Sequence, residues 1–136
     1  MKKSIFLFLL LTSTVVKAVD VSDKLLDAIC NIESHGNSQA IGDNGKAIGA
    51  YQIHKIYVDD INGFSKTQYT YEDRKDKEKS RAMVKAYLEH YGKAYEKKTG
   101  KTADNEILAR IHNGGPNGWK KDATKKYWNK IEKELK

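Results

Sequence analysis

One cysteine and one proline in 136 residues set the first limits on this chain. A single thiol, Cys30, forbids an intrachain disulfide, so the fold has to be held by its core. Cys30 lies on an apolar helical segment with no histidine placed beside it, and reads as a small buried hydrophobe rather than a nucleophile. Pro/Ser-rich linkers, low-complexity tracts and internal repeats are all absent, which leaves one domain as the economical reading. His35, His54, His90 and His112 show no His-x-x-x-His spacing and no Cys-x-x-Cys accompanies them, so no metal is expected. The glycines from Gly42 to Gly49 do not follow a strand and make no phosphate cradle; no cofactor is expected either.

The one long apolar run lies at the N-terminus. Lys2 and Lys3 precede an apolar stretch from Ser4 to Val16, and Val16-Lys17-Ala18 places small residues where a signal peptidase reads them. The stretch is too short to span a bilayer comfortably. Residues 1–18 are therefore expected to be a cleaved export signal, and residues 19–136 the working domain, secreted or periplasmic. Cleavage would remove three lysines and no acids, taking the formal charge from +7 to +4. A basic protein outside the membrane suits a polyanionic partner such as a bacterial wall, and export argues against nucleic acid. No stable membrane insertion is expected after cleavage, and a monomer is the default for a chain of this size.

The remaining periodicity is helical nearly throughout, so the expected fold is all-α with at most a vestigial β-hairpin near residues 37–48. Ser22 is a good N-cap for a helix carrying Leu25, Leu26, Ile29 and Ile32 on one face, which Gly36 stops. Asp43-Asn44-Gly45 is a strong turn signal. A second helix is expected near Gly49, carrying Tyr51, Ile53, Ile56 and Tyr57, followed by a loop at 62–71. A long helix from about Glu72 shows Met83, Val84, Tyr87, Leu88 and Tyr91 as its stripe and ends at Gly92 or Gly100. Thr102 or Asp104 caps a shorter helix that runs into Asn113-Gly114-Gly115-Pro116. The last helix begins after Asp122 and repeats Tyr127, Trp128, Ile131 and Leu135.

Glu33 falls in the last turn of the first helix. A carboxylate there meets the negative end of the helix dipole, a setting that works against ionisation. A glycosidase needs such a group, still protonated near neutral pH, to protonate a departing oxygen. Position alone equally fits a solvated glutamate at a frayed helix end. Motifs further along the chain change that balance: Ala28-Ile29-Cys30-Asn31-Ile32-Glu33-Ser34, Gly42-Asp43-Asn44-Gly45, Gly49-Ala50-Tyr51-Gln52-Ile53, Ala109-Arg110-Ile111-His112-Asn113-Gly114-Gly115-Pro116 and Tyr127-Trp128 follow one another in order. Each is weak alone. Together they resemble the lysozyme-like glycosidases, nearest to invertebrate-type (destabilase) lysozymes and soluble lytic transglycosylases. The invertebrate-type enzymes are heavily disulfide-bonded, so the low cysteine content suggests a bacterial or phage-type member.

The resemblance implies a muramidase that hydrolyses the β-1,4 bond between N-acetylmuramic acid and N-acetylglucosamine in peptidoglycan glycan strands, with Glu33 as general acid. Asp43 matches the second carboxylate of invertebrate-type lysozymes, although a tight turn also favours Asp there and the Asp43–Gln52 interval is about one residue shorter than the family pattern. If Asp43 only shapes the turn, Glu33 would act alone, as in lytic transglycosylases that leave 1,6-anhydro ends. Tyr51 and Gln52 are expected to line the cleft and bind sugar, with helix packing the competing reading, stronger for Tyr51. Asn113 and Gly114 either offer hydrogen bonds near the scissile sugar or simply end a helix. Tyr127 and Trp128 have the spacing of core residues, and Asp59 and Asp60 that of caps or solvated positions. A third reading is an inactive wall-binding protein on a lysozyme scaffold.

Overall fold

The structure is a computed structural model that describes residues 17–136. The expected export signal, residues 1–18, thus lies outside the described residues except for Lys17 and Ala18. Among the described residues five α-helices carry the fold: α1 (Asp23–Ser34), α2 (Lys55–Ser65), α3 (Lys77–Thr99), α4 (Asn105–Gly114) and α5 (Lys125–Glu134). Two short strands, β1 (Ile41–Gly42) and β2 (Ala47–Ile48), pair antiparallel with Ile41 opposite Ile48 and Gly42 opposite Ala47. This is the mainly helical fold with a minimal hairpin that the periodicity implies. Among the described residues no helix is long and apolar enough to cross a membrane.

Side-chain caps start most of the helices. Ser22 Oγ accepts from Leu25 N at 3.2 Å, Asp76 Oδ1 from Lys79 N at 2.9 Å, and Asp104 Oδ1 from Ile107 N at 3.0 Å. Each satisfies an amide that the helix itself leaves unpaired. α4 sits centrally, packed on α3 and α5, and α1 closes over all three. Leu25, Leu26 and Ile29 of α1 meet Met83, Val84 and Leu88 of α3, Leu108 and Ile111 of α4 and Ile131 of α5 in one core, all fully buried. The first helix presents the apolar face expected of it, with Ile32 at the margin. Its left-handed stop falls on His35 (φ 53°) as well as on Gly36 (φ 79°).

Three boundaries differ from expectation, each for a local reason. The second helix starts at Lys55, not near Gly49, because the backbone first folds back on the hairpin. Gly49 (φ 84°) and Gln52 (φ 51°) are left-handed, and Ile48 and Ile53 exchange backbone hydrogen bonds at 3.2 and 3.0 Å. α2 then runs to Ser65 and takes part of the segment expected as loop. The third helix begins at Lys77, after a 3₁₀ turn over Tyr71–Lys75, because extended Asp76 separates the two and caps the second. Its end is Gly100. Gly92 lies mid-helix, where its bare backbone leaves room for Val19, Ala103 and Leu108; a Cβ there would come within 2.9 Å of Leu108 and Val19.

The hairpin is tied to the helical body at Gly49, where a Cβ would fall 1.9 Å from the Arg74 carbonyl oxygen, whereas Gly45 has open space around it. Gly45→Ala should cost only the left-handed backbone penalty, on the order of 1–2 kcal/mol. Gly49→Ala adds a backbone collision and should cost about 1–3 kcal/mol more. Urea denaturation of the two variants measures the difference, and equal losses would contradict this packing.

Candidate functional site

A cleft of about 530 Å³ runs between the end of α1, the hairpin, α2 and the end of α4. Glu33 lines it from the last turn of α1. His112, one turn from the end of α4, brings Nε2 to 3.4 Å from Glu33 Oε1. The side chain of Glu33 is 18% exposed and that of His112 only 4%, so the carboxylate meets the cleft while the imidazole is embedded behind it. His112 is in turn held by Tyr57 of α2, whose Oη lies 3.1 Å from Nδ1. With Oη donating to Nδ1, the ring proton of neutral His112 sits on Nε2 and faces Glu33. Tyr57 is braced by Tyr87 of α3, stacked at a centroid distance of 3.6 Å.

A third aromatic neighbour of Glu33 comes from α5. Tyr127 is buried, and its hydroxyl makes no hydrogen bond among the described residues. Burial raises the Tyr127 phenol well above its ordinary range, and the negative charge of Glu33 beside it adds to the effect. Tyr57 is raised in the same way, by burial first, then by Tyr87 and Glu33. Both phenols therefore stay neutral at any physiological pH; Tyr57 lines the cleft, whereas the Tyr127 hydroxyl is buried.

The facing wall is the hairpin. Asp43 (φ 47°) and Asn44 (φ 53°) adopt left-handed backbone, the turn chemistry that the Asp-Asn-Gly sequence favours. The Asp43 carboxylate faces the cleft and pairs with His54 at 3.1 Å, both side chains about half exposed. Such an open pair adds little stability, at most about 1 kcal/mol, but it restricts the carboxylate's orientation. Gln52 lines the cleft with its amide turned into the loop: Nε2 donates to the carbonyls of Gly49 and Ala40 at 3.0 and 3.3 Å. Gly42 gives that amide its space, since a Cβ there would fall 2.2 Å from Gln52 Oε1. Gln52 thus braces the wall that carries Asp43.

Two residues expected as sugar contacts lie elsewhere. Tyr51 is 1% exposed and outside the cleft; its hydroxyl accepts from Arg81 Nη1 at 3.0 Å, because the turn at Gly49 points the ring inward. This is the packing alternative. Gly114 faces Thr124, where a Cβ would meet Cγ2 at 2.6 Å, and its carbonyl accepts from Lys121 Nζ. Asn113 does line the cleft, with Gly115 in place of Gly114. Tyr127 and Trp128 belong to the core and its margin, as their spacing implies.

The structure adds residues that sequence reading left aside. His112, His54 and Tyr57 reach the site, and so does Asp60, which accepts from the Tyr91 hydroxyl at 2.9 Å on the cleft floor. His112 sits beside Asn113 in a motif already singled out, so only its direction was hidden; Asp60 gave no signal. Cys30 is buried and free. Among the described residues no three His, Cys, Asp or Glu side chains converge to hold a metal ion.

The phenols set an alkaline limit on stability. Tyr91 is pushed up to about 12, by burial first and then by its bond to Asp60, and Tyr57 and Tyr127 are also raised well above their ordinary range, by burial first. In the unfolded chain tyrosines ionise from about pH 10. The unfolded state therefore loses protons first, and the stability held by neutral phenols, complete below pH 10, should fall as pH rises through 12. Denaturation midpoints from pH 8 to 12 test this; a flat profile would contradict it.

The chain is similar to known proteins over most of its length. The Destabilase family model matches residues 22–134. The chain is 32% identical over 137 residues to the lysozyme of Ostrea edulis, covering 98% of this chain and 96% of the oyster protein. It is 32% identical over 117 residues to the lysozyme of Meretrix lusoria, covering 83% and 89% of the two chains. The crystal structure of Aeromonas hydrophila PliI in complex with that Meretrix lysozyme contains a chain that superposes with a TM-score of 0.70 at 30% identity, covering 83% of this chain and 89% of that one.

Proposed function

The chain belongs to the destabilase family of lysozymes and is a glycoside hydrolase, and we propose that it cuts the β-1,4 bond between N-acetylmuramic acid and N-acetylglucosamine with Glu33 as general acid. The observation that supports Glu33 most is its setting. It is the largely buried carboxylate among those lining the cleft, with an imidazole 3.4 Å away and two neutral phenols nearby. The imidazole, with Nε2 3.4 Å from Oε1, restricts the carboxyl group on its protein side, and the group lines the cleft where a glycosidic oxygen would lie. Protonation of that oxygen lets the bond to the anomeric carbon break, and the positive charge that develops on the sugar ring needs a second carboxylate or an internal nucleophile.

Asp43 supplies that carboxylate in this reading, from the opposite wall and oriented by His54. Its left-handed turn also fits a purely architectural role, in which case the sugar's own 6-hydroxyl would attack and leave an anhydro end. Asn113, beside Glu33's imidazole partner, is the candidate hydrogen-bond donor to the bound sugar. We also read residues 1–18 as an export signal, so that the enzyme meets peptidoglycan outside the cytoplasmic membrane as a monomer. The buried position of Val19, packed against Gly92, suits a domain beginning there.

Glu33→Gln should lower turnover of purified peptidoglycan by about 10²–10⁴-fold with little change in thermal stability. Asp43→Asn should cost a similar factor if the carboxylate joins the reaction, and less than about tenfold if it only shapes the turn. Mass spectrometry of the released glycans reads the outcome: reducing ends mean hydrolysis and anhydro ends mean transglycosylation. Wall clearance by Glu33→Gln equal to wild type would overturn the assignment of the acid.

A further inference from the structure

Beyond the cleft, on the far side of His54, lies a second cavity of about 340 Å³. Arg74 forms its base. The residue is 5% exposed, and its guanidinium donates to three backbone carbonyls: Nε to Tyr71 at 2.7 Å, Nη1 to Ile53 at 3.0 Å and to Lys46 at 3.3 Å. Nη2 donates to nothing among the described residues, and no carboxylate pairs with Arg74. The nearby acids are engaged elsewhere: Asp43 with His54, Asp59 with the Tyr71 hydroxyl and Glu72 with Lys75. Glu72 acts on this cation only beyond ion-pair distance and the Tyr71 ring centre lies 5.7 Å from Cζ, so an anion entering from the cavity would supply the direct ion pair that Arg74 lacks among the described residues.

The surroundings favour the same ligand. Lys46 and Lys55 are exposed at the rim and pair with no carboxylate among the described residues. Lys55 Nζ lies 4.9 Å from the centre of the Tyr71 ring. α2 begins at the cavity, which His54, Lys55 and Ile56 line, and has no side-chain cap, so the positive end of its helix dipole lies at this wall. Ile56, 72% exposed, lines both this cavity and the glycan cleft, as does His54.

We propose that this cavity is an anion pocket that takes a carboxylate of the peptidoglycan stem peptide, attached to the muramic acid held in the adjoining cleft. The assignment rests on the glycosidase reading of the cleft. The stem peptide suits the place because it leaves the glycan as a flexible branch carrying carboxylates and small apolar side chains. Arg74 and the two lysines would meet the former, and Ile56 the latter.

The test compares strands bearing intact stem peptides with strands stripped of them by an amidase, prepared from walls with and without teichoic acid. Wild type should show a several-fold lower KM on peptide-bearing strands. Lys46→Gln/Lys55→Gln should bring that ratio close to one, while Lys130→Gln/Lys133→Gln, which removes the same charge from α5, should keep the wild-type ratio. These surface lysines are preferred to Arg74, whose three carbonyl bonds make loss of folding a confounding result. A wild-type ratio of one, equal loss in both double variants, or a preference that follows teichoic phosphate rather than peptide would each overturn the proposal. Co-sedimentation of Glu33→Gln protein with the same strands measures binding without turnover. An inactive wild type would then overturn the glycosidase reading, while the binding ratio still decides the pocket.

Discussion

The side chain of Glu33 is enclosed by aromatic groups from three different helices, and the cleft exists because those helices meet at the last turn of α1. Tyr57 arrives from α2, His112 from α4 and Tyr127 from α5. A carboxylate exposed only to 18% cannot be solvated on every side, so its environment has to be polar where it touches protein and open where it touches substrate. His112 answers the first requirement, held from behind by a phenol that stays neutral. The stacked Tyr57–Tyr87 pair fixes that phenol. Position and access of one acid thus depend on how α1, α2, α4 and α5 meet at that turn.

The hairpin is small, yet it is the opposite wall of the cleft and is braced from both directions. On the inside, Gln52 ties Gly49 and Ala40 together across the turn. From the outside, Arg74 reaches the carbonyls of Lys46 and Ile53, and the backbone at Arg74 presses on Gly49. These contacts allow a two-residue ladder, too short to stand alone, to hold Asp43 in a strained left-handed turn. The same bracing places a buried guanidinium one layer behind the glycan cleft, so the wall that shapes one cavity also forms the base of the next.

The comparison between expectation and structure is instructive residue by residue. Apolar spacing identified the buried face of α1, and Ser22 and Asp104 announced two helix starts through capping chemistry that acts over three residues. Gly49 misled because a glycine followed by Tyr51 and Ile53 has helical spacing, while its actual course is decided by pairing of Ile48 with Ile53 and by the carbonyl of Arg74, more than twenty residues away. Tyr51 and Gly114 stood in the right motifs but point away from the cleft. Their neighbours Gln52, Asn113 and Gly115 point toward it, a difference of one residue that motif order cannot resolve.

What the sequence determined by itself was the set of local and ordered features: a chain with no intrachain disulfide, helices with their caps and apolar faces, a turn at Asp43, and a motif series placing Glu33 at a helix end in a family of glycosidases. Those features follow from interactions between residues a few positions apart, or from the order of whole blocks. Only the tertiary structure decided that His112 stands beside Glu33, that Asp43 faces the same cleft beside His54, that Asp60 lines it too, and that Arg74 is buried without a direct ion pair among the described residues. Each of these is a direction of a side chain in space, set by packing between segments far apart in the chain. No periodicity or spacing carries that information, because the same residues at the same intervals can turn inward or outward until the rest of the fold closes around them.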